Sequence, residues 1–446
     1  MSRNSSVSFP QINIFSFLKS YITFKSLLFF LITIIVFILS CAPAKRFPES
    51  KEKDEKIEKE EKSEKEEMAK PDFSFAEIRV LLKGSIASES LTIESPVYLF
   101  KKEINIALIK SGNTINCFEN NGKVTLTVNG ENFESEFFFL TSAESDNIVK
   151  INGKRYRNKI QISSSGNSID IINVLNLEDY VKGVLAKEMP LGKDEENLEA
   201  LKALAICVRT YAAQKMKDGK VYFDLYADTR DQVYGGVDSE SPLSNKAAEE
   251  TKNLILEYNG TQSIIYYHST CGGQTEASQN VFTKENVPYL TSIKDGSDPY
   301  CKISPRFEWT ETYSKELIIS RIKSYSLLDN QNYSLDDISI INKFSSGRVN
   351  EMEIKVISDG GEKKTIIIKG NEIRSIIRTA DSKMILWSTL FDLSLKSDSV
   401  VLNGKGFGHG VGLCQWGAIA LSRKGMNYED ILDHYYPGTE TGNLND

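Results

Sequence analysis

The stretch from Asn173 to Met216 reads NVLNLEDYVKGVLAKEMPLGKDEENLEALKALAICVRTYAAQKM, and the rest of the chain can be organised around it. Apolar residues recur at helical spacing on both sides of a turn that contains Pro190 and Gly192, so the stretch predicts two helices. Asn176 can cap the first helix. Pro190 ends that helix because the residue before a proline is pushed out of the helical region.

Glu188 lies at the C-terminal end of the first predicted helix, on its apolar side. It follows Val184 by four residues and Val181 by seven. Burial and the negative end of the helix dipole both raise the pKa of a carboxyl group, and a raised pKa suits a general acid near neutral pH. The alternative interpretation is that Glu188 forms a salt bridge with a basic residue of the second helix.

Two basic residues of the second predicted helix, Lys202 and Arg209, lie seven positions apart and therefore share a face. Near a carboxylate, such a pair could bind the sugar or carboxylate groups of a ligand. It could equally form an ordinary salt-bridged face.

The length and hydrophobic content of the chain are those of a folded protein, and its net charge excludes few functions. The 446 residues are 40% hydrophobic, which is enough for one large domain or two smaller ones. The formal net charge of -7 argues against a nucleic-acid-binding protein, because such proteins usually carry a basic surface.

The N-terminus has the pattern of an export signal. Lys19 and Lys25 precede an apolar run from Ser26 to Leu39, which is followed by Ser40 and Cys41. A small residue before a cysteine at this place resembles a bacterial lipobox, so residues 1–41 are predicted to be a lipoprotein signal with Cys41 lipidated. The alternative is an uncleaved membrane anchor. Both interpretations place the remainder outside the cytoplasm, attached to a membrane.

Residues 42–73 are predicted to be a charged linker. Most of this segment is Glu and Lys, and it has too few apolar residues to form a core. The mixed charges could form a solitary helix or an extended tether. Either would separate a folded domain, residues 74–446, from a membrane.

The cysteines after residue 41 fall into two groups according to whether their neighbours in the sequence are apolar or polar. Cys117, Cys207 and Cys414 have apolar neighbours and are predicted to be core residues. Cys271 and Cys301 lie in polar, loop-like stretches, and export makes a disulfide bond between them the expected arrangement. The alternative is a partial metal site with His268, although three scattered ligands are weak evidence for one. We predict no cofactor.

The pattern of short strands and helices predicts an α+β fold. Residues 74–173 read as a β-rich scaffold, residues 174–217 as the helical pair, and residues 218–446 as a mixed region that completes a groove. Strands are expected at Ile78–Leu82, Leu91–Leu99, Val124–Val128, Phe133–Leu140, Ile160–Ile162, Val349–Val356 and Lys364–Lys369, and further helices at Ser244–Asn253 and Lys315–Ser326.

A glycine-rich segment near the C-terminus, Gly404 to Ala418, predicts unusual backbone angles or close backbone approach. His409 stands between two glycines, so its ring is expected to be accessible. Gln415 and Trp416 begin a predicted helix. Trp416 could stack on a sugar, although tryptophan is more often a core residue. His434 is expected to be structural.

Five motifs in this order resemble those of the SpoIID/LytB family, over about residues 75–441. They are Leu177–Val184 running into Glu188-Met189-Pro190, Ala200–Ala203 running into Arg209–Ala212, Gln232–Gly236, His268–Gly273 with Thr275, and Gly408–Gly412 with Gln415–Ala418 closed by Tyr435–Gly438.

The resemblance implies an activity. Sporulation members of the family are lytic transglycosylases, which cleave peptidoglycan strands without stem peptides, and the glutamate of their Glu-Met-Pro motif is catalytic. That residue corresponds to Glu188, which would act first as acid and then as base. The resemblance makes Lys202, Arg209, Gln232, Tyr234, Ser269, Thr270, His409 and Gln415 candidates for substrate binding.

The family also offers a second function. Other members are described as amidase enhancers, which assist a cell-wall amidase without an established reaction of their own. The expected partners are therefore peptidoglycan strands and a wall hydrolase. Some sporulation members carry His and Cys metal ligands just before the Gln-Val-Tyr motif. Here Tyr226, Arg230 and Asp231 occupy that stretch, so no zinc is expected there.

Overall fold

The computed structural model describes residues 77–218, 222–282 and 285–445, which belong to one compact unit that begins at residue 70. The predicted signal peptide, the lipidated Cys41 and the charged linker lie outside these residues. Among the helices described, none is both long and apolar enough to cross a membrane.

The described residues form an α+β fold with short strands before and after the helical pair. The strands are β1 Glu77–Ile86, β2 Ser88–Thr92, β3 Val97–Lys101, β4 Ile104–Ile109, β5 Thr114–Asn120, β6 Lys123–Val128, β7 Glu131–Ser135, β8 Phe137–Ser142, β9 Ile148–Ile151, β10 Lys154–Arg157, β11 Lys159–Ser164, β12 Ile169–Asn176, β13 Leu225–Tyr226, β14 Leu254–Tyr258, β15 Thr261–Gln262, β16 Tyr267–His268, β17 Glu308–Ser314, β18 Tyr333–Lys343, β19 Val349–Ser358, β20 Lys363–Lys369, β21 Phe391–Leu395, β22 Ser399–Lys405, β23 Leu413–Cys414 and β24 Glu440–Asn443. The α-helices are α1 Leu177–Glu188, α2 Leu198–Lys217, α3 Pro242–Glu250, α4 Lys315–Ser324, α5 Glu372–Ile377, α6 Gln415–Arg423 and α7 Tyr428–Tyr435.

A seven-stranded sheet supports the helical pair. Its order is β13-β1-β12-β11-β8-β3-β4, and only the β13–β1 pairing is parallel. Every residue of β12 except its last is buried, because β12 lies between two strands and both of its faces are covered. This strand leads directly into α1, so the sheet fixes where that helix begins.

Two predicted strands are each divided in the structure. The prediction Leu91–Leu99 becomes β2, in a four-stranded sheet of order β2-β5-β6-β7, and β3, in the seven-stranded sheet. Pro96 lies at the break, where it lacks the N–H that a ladder needs. The prediction Phe133–Leu140 similarly becomes β7 and β8, in the same two sheets.

The helical pair matches its prediction closely. Asn176 caps α1, and its side chain accepts a hydrogen bond of 2.8 Å from the Asp179 backbone N–H. Asn197 precedes α2 but makes no capping bond. Its amide instead donates to the Pro190 carbonyl at 3.0 Å and holds the turn between the two helices.

The C-terminal region contains a core of its own. Residues of β17 to β22 and of helices α4 and α5 pack together there, apart from the main core around α2. The predicted helix at Lys315–Ser326 is observed as α4, and the predicted strands at Val349–Val356 and Lys364–Lys369 as β19 and β20. The chain then returns to the main core through β23, which pairs in parallel with β16.

Candidate functional site

Glu188 is the last residue of α1, where the preceding apolar turn and the sheet beneath it fix its position. Its Oε1 atom accepts a hydrogen bond of 2.7 Å from the backbone N–H of Val233. Its Oε2 atom accepts a longer bond of 3.4 Å from the side-chain amide of Gln415, at the start of α6. Three separate segments of the chain therefore hold one carboxyl group.

Burial raises the pKa of the Glu188 carboxyl above its usual value, while the N–H donors of Val233 and Gln415 oppose that rise. The side chain is half-buried rather than enclosed, so a ligand can reach it. Both features suit a group that must carry a proton near neutral pH and deliver it to a bound molecule.

Two buried tyrosines lie near this carboxyl. Burial, and then the charge of Glu188, hold the pKa of both Tyr180 and Tyr267 well above its usual value. The Tyr180 hydroxyl donates to Oε1 of Gln232 at 2.9 Å. The Gln232 Nε2 atom is buried and has no partner among the described residues, so this amide keeps a donor for another group.

A cavity of about 190 Å³ lies beside these residues. Its lining consists of Tyr211, Thr229, Arg230, Asp231, Gln232, Ile265, Tyr266, Tyr267, Phe282 and His409. The rings of Tyr266 and Phe282 stack with centroids 4.2 Å apart, and Phe282 meets His409 edge to face at 4.8 Å. Aromatic faces beside amide and hydroxyl groups are a suitable lining for a sugar.

His409 is neutral at physiological pH. Burial, followed by the nearby charge of Arg374, lowers its pKa to about 3. Its Nδ1 atom accepts a hydrogen bond of 3.1 Å from the Val411 backbone N–H, so the ring proton is on Nε2. The ring is half-buried, and it lines the cavity.

A larger cavity of about 660 Å³ lies beside the sheet of order β17-β22-β21. Its charged lining residues pair with one another. Lys343 contacts Asp392 at 2.7 Å, and Lys405 contacts Glu308 at 3.4 Å. Because these charges already have partners, we place the site at Glu188 instead.

The structure corrects the prediction that Arg209 binds substrate. Its side chain is fully buried and forms two bonds to Glu178, of 2.7 and 2.8 Å. It also donates to the carbonyls of Leu254 and Ala248. This arginine thus joins α1 to α2 and α3, and it does not reach a surface.

Lys202 is likewise engaged within the protein. Its Nζ atom contacts Glu199 at 2.8 Å and Glu250 at 2.7 Å, and it lies over the Tyr428 ring. These partners belong to α2, α3 and the start of α7, and none of them lines the cavity beside Glu188.

Two other predicted substrate-binding residues have structural partners, and a third has access to solvent. Tyr234 is buried, stacks on Tyr180, and donates to Asn173 at 2.7 Å. The buried hydroxyl of Thr270 lies 2.7 Å from that of Ser304. Ser269 is half-buried, so its side chain has access to solvent.

The cysteine predictions have a mixed outcome. Cys117 and Cys207 are buried core residues, as expected. Cys271 and Cys301 are also buried, although their sequence contexts are polar, and their Sγ atoms lie 3.4 Å apart as free thiols. Cys414 adds a third thiol to the same group. His268 is not part of this group, because its Nδ1 atom contacts the Val411 carbonyl.

The sequence analysis missed several groups around Glu188. Tyr180 lies within the Leu177–Val184 motif, and no sequence signal marks Tyr267 as a neighbour of Glu188. Asp231 was noted for the metal ligands that it replaces, but it also lines the cavity. The only available signal for these groups was an aromatic residue within or close to a motif. That signal is too weak to identify a site residue.

Comparison with known proteins identifies the family of this chain. Residues 165–258 match the SpoIID family, described as Stage II sporulation protein, and residues 301–412 match a domain of unknown function, DUF8618. An uncharacterised protein of Brachyspira hyodysenteriae is 32% identical over 373 residues, which cover 82% of this chain and 93% of that protein. The chain belongs to the SpoIID/LytB family.

Named SpoIID/LytB relatives come from Bacillus subtilis. A protein named Amidase enhancer is 30% identical over 398 residues, 80% of this chain and 53% of its own length, so the match spans about half of that relative. A protein named Stage II sporulation protein D is 29% identical over 280 residues, 59% of this chain and 74% of its own length. The SpoIID match includes Glu188, Arg209 and the Gln232–Gly236 motif.

Proposed function

We propose that this protein is a lytic transglycosylase that cleaves the bond between N-acetylmuramic acid and N-acetylglucosamine in peptidoglycan strands without stem peptides. The observation that carries the proposal is the carboxyl group of Glu188. It is half-buried and its pKa is raised, and it accepts a hydrogen bond from Val233, whose neighbour Gln232 lines a cavity with aromatic groups. Membership of the SpoIID/LytB family supports the same reaction.

One carboxyl group is sufficient for this chemistry. Protonated Glu188 gives its proton to the glycosidic oxygen as the bond from that oxygen to C1 of the muramic acid breaks. The resulting carboxylate then accepts the proton of the C6 hydroxyl of the same sugar. The oxygen of that hydroxyl bonds to C1 of the muramic acid and closes a 1,6-anhydro ring. Glu188 regains its proton, and no water is consumed.

The hydrogen-bond donors around Glu188 suit both the step in which it donates a proton and the step in which it accepts one. The Val233 N–H and the Gln415 amide stabilise the carboxylate that forms after proton transfer. Gln232 has a free amide donor, and neutral His409 presents a polar edge to the cavity. We propose that Gln232, His409 and Ser269 contact the sugar, whereas Lys202, Arg209, Tyr234 and Thr270 position the elements that carry them.

A second carboxylate, that of Asp231, lines the cavity, so hydrolysis is the competing reaction to consider. Asp231 could in principle activate water, as the base of an inverting glycosidase does. Its Oδ1 atom, however, accepts from the Tyr211 hydroxyl at 2.6 Å, and its Oδ2 atom accepts from the Tyr226 N–H at 2.9 Å. These two bonds join α2 to β13 through Asp231, so we propose a structural role for this residue.

The proposal is tested by incubating the full-length protein, purified in detergent, with peptidoglycan strands that lack stem peptides. Mass spectrometry of the products should show anhydromuramyl ends with the parent protein and none with Glu188→Gln. Glu429→Gln is a suitable control, because Glu429 is an exposed residue of α7 outside the site. No cleavage by the parent, with strand binding retained, would reject the enzyme.

The alternative function is a non-catalytic amidase enhancer. The observation that favours it is the similarity over 80% of this chain to the relative of that name. Under this alternative the cavity binds a glycan strand without cleaving it, and the chain raises the activity of a wall amidase. Glu188→Gln would then leave the stimulation of an added amidase unchanged.

We also propose that the protein is exported and lipid-anchored through Cys41. The signal pattern of residues 1–41 supports this location, and a wall substrate requires it. General wall remodelling and sporulation are both compatible with such an anchor.

A further inference from the structure

A cluster of three thiols and one carboxyl group lies in the interior and has no part in the proposed reaction. It consists of Cys271, Asp295, Cys301 and Cys414, all of them buried, with one ligand atom of each within 4.8 Å of the others. The four residues come from three separate segments of the chain, because Asp295 and Cys301 belong to one loop. Burial disfavours the charged form of all four groups unless a partner compensates, and the carboxylate of Asp295 most directly.

The spacing of these groups matches a tetrahedral metal site. Zinc binds thiolate sulfur at about 2.3 Å, which gives a sulfur–sulfur distance of about 3.8 Å along a tetrahedral edge. The Sγ atoms of Cys271 and Cys301 are 3.4 Å apart, so a small outward shift would accommodate the ion. We infer that Cys271, Asp295, Cys301 and Cys414 bind one structural zinc ion.

Backbone donors surround the proposed ligands. The Cys271 N–H points at Sγ of Cys414 at 3.2 Å, and the Gly273 N–H points at Sγ of Cys271 at 3.4 Å. N–H groups directed at sulfur are a common feature of metal–thiolate sites, because they stabilise the charge on the ligands. Ordinary core cysteines have no need of them.

Asp295 is held in place by groups around the site. One oxygen accepts from the Tyr435 hydroxyl at 2.6 Å, and the other from the Cys301 N–H at 2.8 Å. Gly417 leaves room for this arrangement, because a Cβ atom there would come within 1.9 Å of the Tyr435 hydroxyl. An oriented carboxylate with a hydrogen-bonded outer shell is what a metal ligand requires.

A buried cation also faces the cluster. Arg348 donates to the Cys271 carbonyl at 2.7 Å and to the Gln274 carbonyl at 3.1 Å. Three thiolates, one carboxylate and a divalent ion together carry a net charge of about -2, and the guanidinium offsets part of it. Zinc binding would release the three thiol protons to solvent.

The location suggests what the ion does. Cys301 precedes β17 and Cys414 ends β23, so they mark where the chain leaves the main core for the C-terminal core and where it returns. A zinc ion would join both crossings to the segment of Cys271. It would also fix Cys414, whose neighbour Gln415 donates to Glu188.

The principal test is the metal content of the full-length protein. The protein is purified in detergent without chelators, dialysed, and analysed for zinc and iron by elemental mass spectrometry. We expect one zinc per chain in the parent and in Cys117→Ser, a matched control because Cys117 is a buried cysteine of β5 outside the cluster. Cys301→Ser and Asp295→Asn should lose the metal.

Two further measurements remain informative where a ligand variant does not fold. Replacement of zinc by Co²⁺ in the parent protein should give the visible absorption bands of a tetrahedral cobalt–thiolate site. Tyr435→Phe removes only the hydrogen bond to Asp295, and it should weaken zinc binding by about 10–100-fold in competition with a chelator.

Three results would overturn the inference. The first is a folded parent protein without zinc that takes up none from added zinc chloride. The second is a disulfide bond between Cys271 and Cys301 in protein isolated from its own cells. The third is iron in place of zinc. None of these results depends on whether the protein cleaves peptidoglycan.

Discussion

Glu188 obtains its chemical character from two opposing influences. Burial raises the pKa of its carboxyl group, and the donors from Val233 and Gln415 lower it. The result is a group that keeps its proton to higher pH than an ordinary glutamate and can also exist as a stabilised carboxylate. At the scale of single residues, changes in burial or in these hydrogen bonds should therefore alter stability and activity.

The first prediction concerns the stability of Glu188→Gln. The folded protein binds the Glu188 proton more tightly than the unfolded chain does, so this group makes the free energy of unfolding fall as pH rises from about 4.3 through the folded pKa. Glutamine removes that dependence. We expect the variant to be more stable than the parent at neutral pH and to lose this advantage below about pH 4.3, in urea unfolding followed by circular dichroism.

The second prediction concerns the pH dependence of cleavage. Gln415→Met removes the amide that stabilises the Glu188 carboxylate, so the pKa of Glu188 should rise. Because the acid must be protonated, the alkaline limb of the rate profile should move to higher pH. Gln274→Met, which loses a bond to Ser292 instead, is the control and should leave the limb in place. A shift of the limb to lower pH would contradict the assigned role.

At the scale of elements, the site depends on how α1 packs. Gly183 lies in the middle of this helix because a Cβ atom there would come within 2.3 Å of the Tyr234 ring. That ring stacks on Tyr180, whose hydroxyl holds Gln232. One glycine therefore allows the Gln-Val-Tyr segment to approach the helix that carries Glu188.

The third prediction follows from that contact. Alanine normally stabilises a helix relative to glycine by about 1 kcal/mol. Gly183→Ala should instead destabilise the protein by about 1–3 kcal/mol, because the Tyr234 ring must move. Gly360→Ala is the control, since the nearest atom to its added Cβ is at 3.7 Å. Urea unfolding of both variants measures the difference, and a stabilised Gly183→Ala would show that the contact is not limiting.

The fourth prediction concerns the ion pair that joins α1 to α2. Arg209→Met leaves the carboxylate of Glu178 largely buried without its partner, so we expect a loss of about 3–5 kcal/mol in the free energy of unfolding. Lys343→Met is the control, because it breaks an ion pair with an exposed aspartate, and it should cost at most about 1 kcal/mol. Similar losses in the two variants would contradict the structural role of Arg209.

The sequence predicted the helical pair well because helical spacing, a capping asparagine and a helix-ending proline are local signals. The same signals predicted that Glu188 ends the first helix, where the structure has it. It did not reveal that Arg209 pairs with Glu178 rather than facing a ligand, because that depends on which turn of α1 lies against α2. The thiol cluster was also out of reach, since its four residues span positions 271 to 414 and meet only in the folded chain.

At the scale of the whole molecule, the chain combines a predicted anchor, a β-rich scaffold and a site at the end of one helix. The scaffold presents α1, and the returning C-terminal segment supplies Gln415 and His409. The proposed reaction depends on both the site and the location, so the proposed anchor can be tested separately from the chemistry.

The fifth prediction concerns location. Cys41→Ser removes the proposed lipidation site, so the variant should no longer incorporate labelled palmitate in a bacterial host, whereas the parent and Cys117→Ser should. Equal labelling of the parent and Cys41→Ser would reject the lipoprotein interpretation, and retention of an unlabelled parent in the membrane would favour an uncleaved anchor.

The most direct test of the central claim is cleavage of peptide-free strands in water enriched in ¹⁸O. If Glu188 acts as both acid and base without water, the new muramyl ends will be lighter than hydrolysis products by one water and will contain no ¹⁸O. Incorporation of ¹⁸O at those ends would contradict the account and would indicate hydrolysis, with Asp231 as the candidate base.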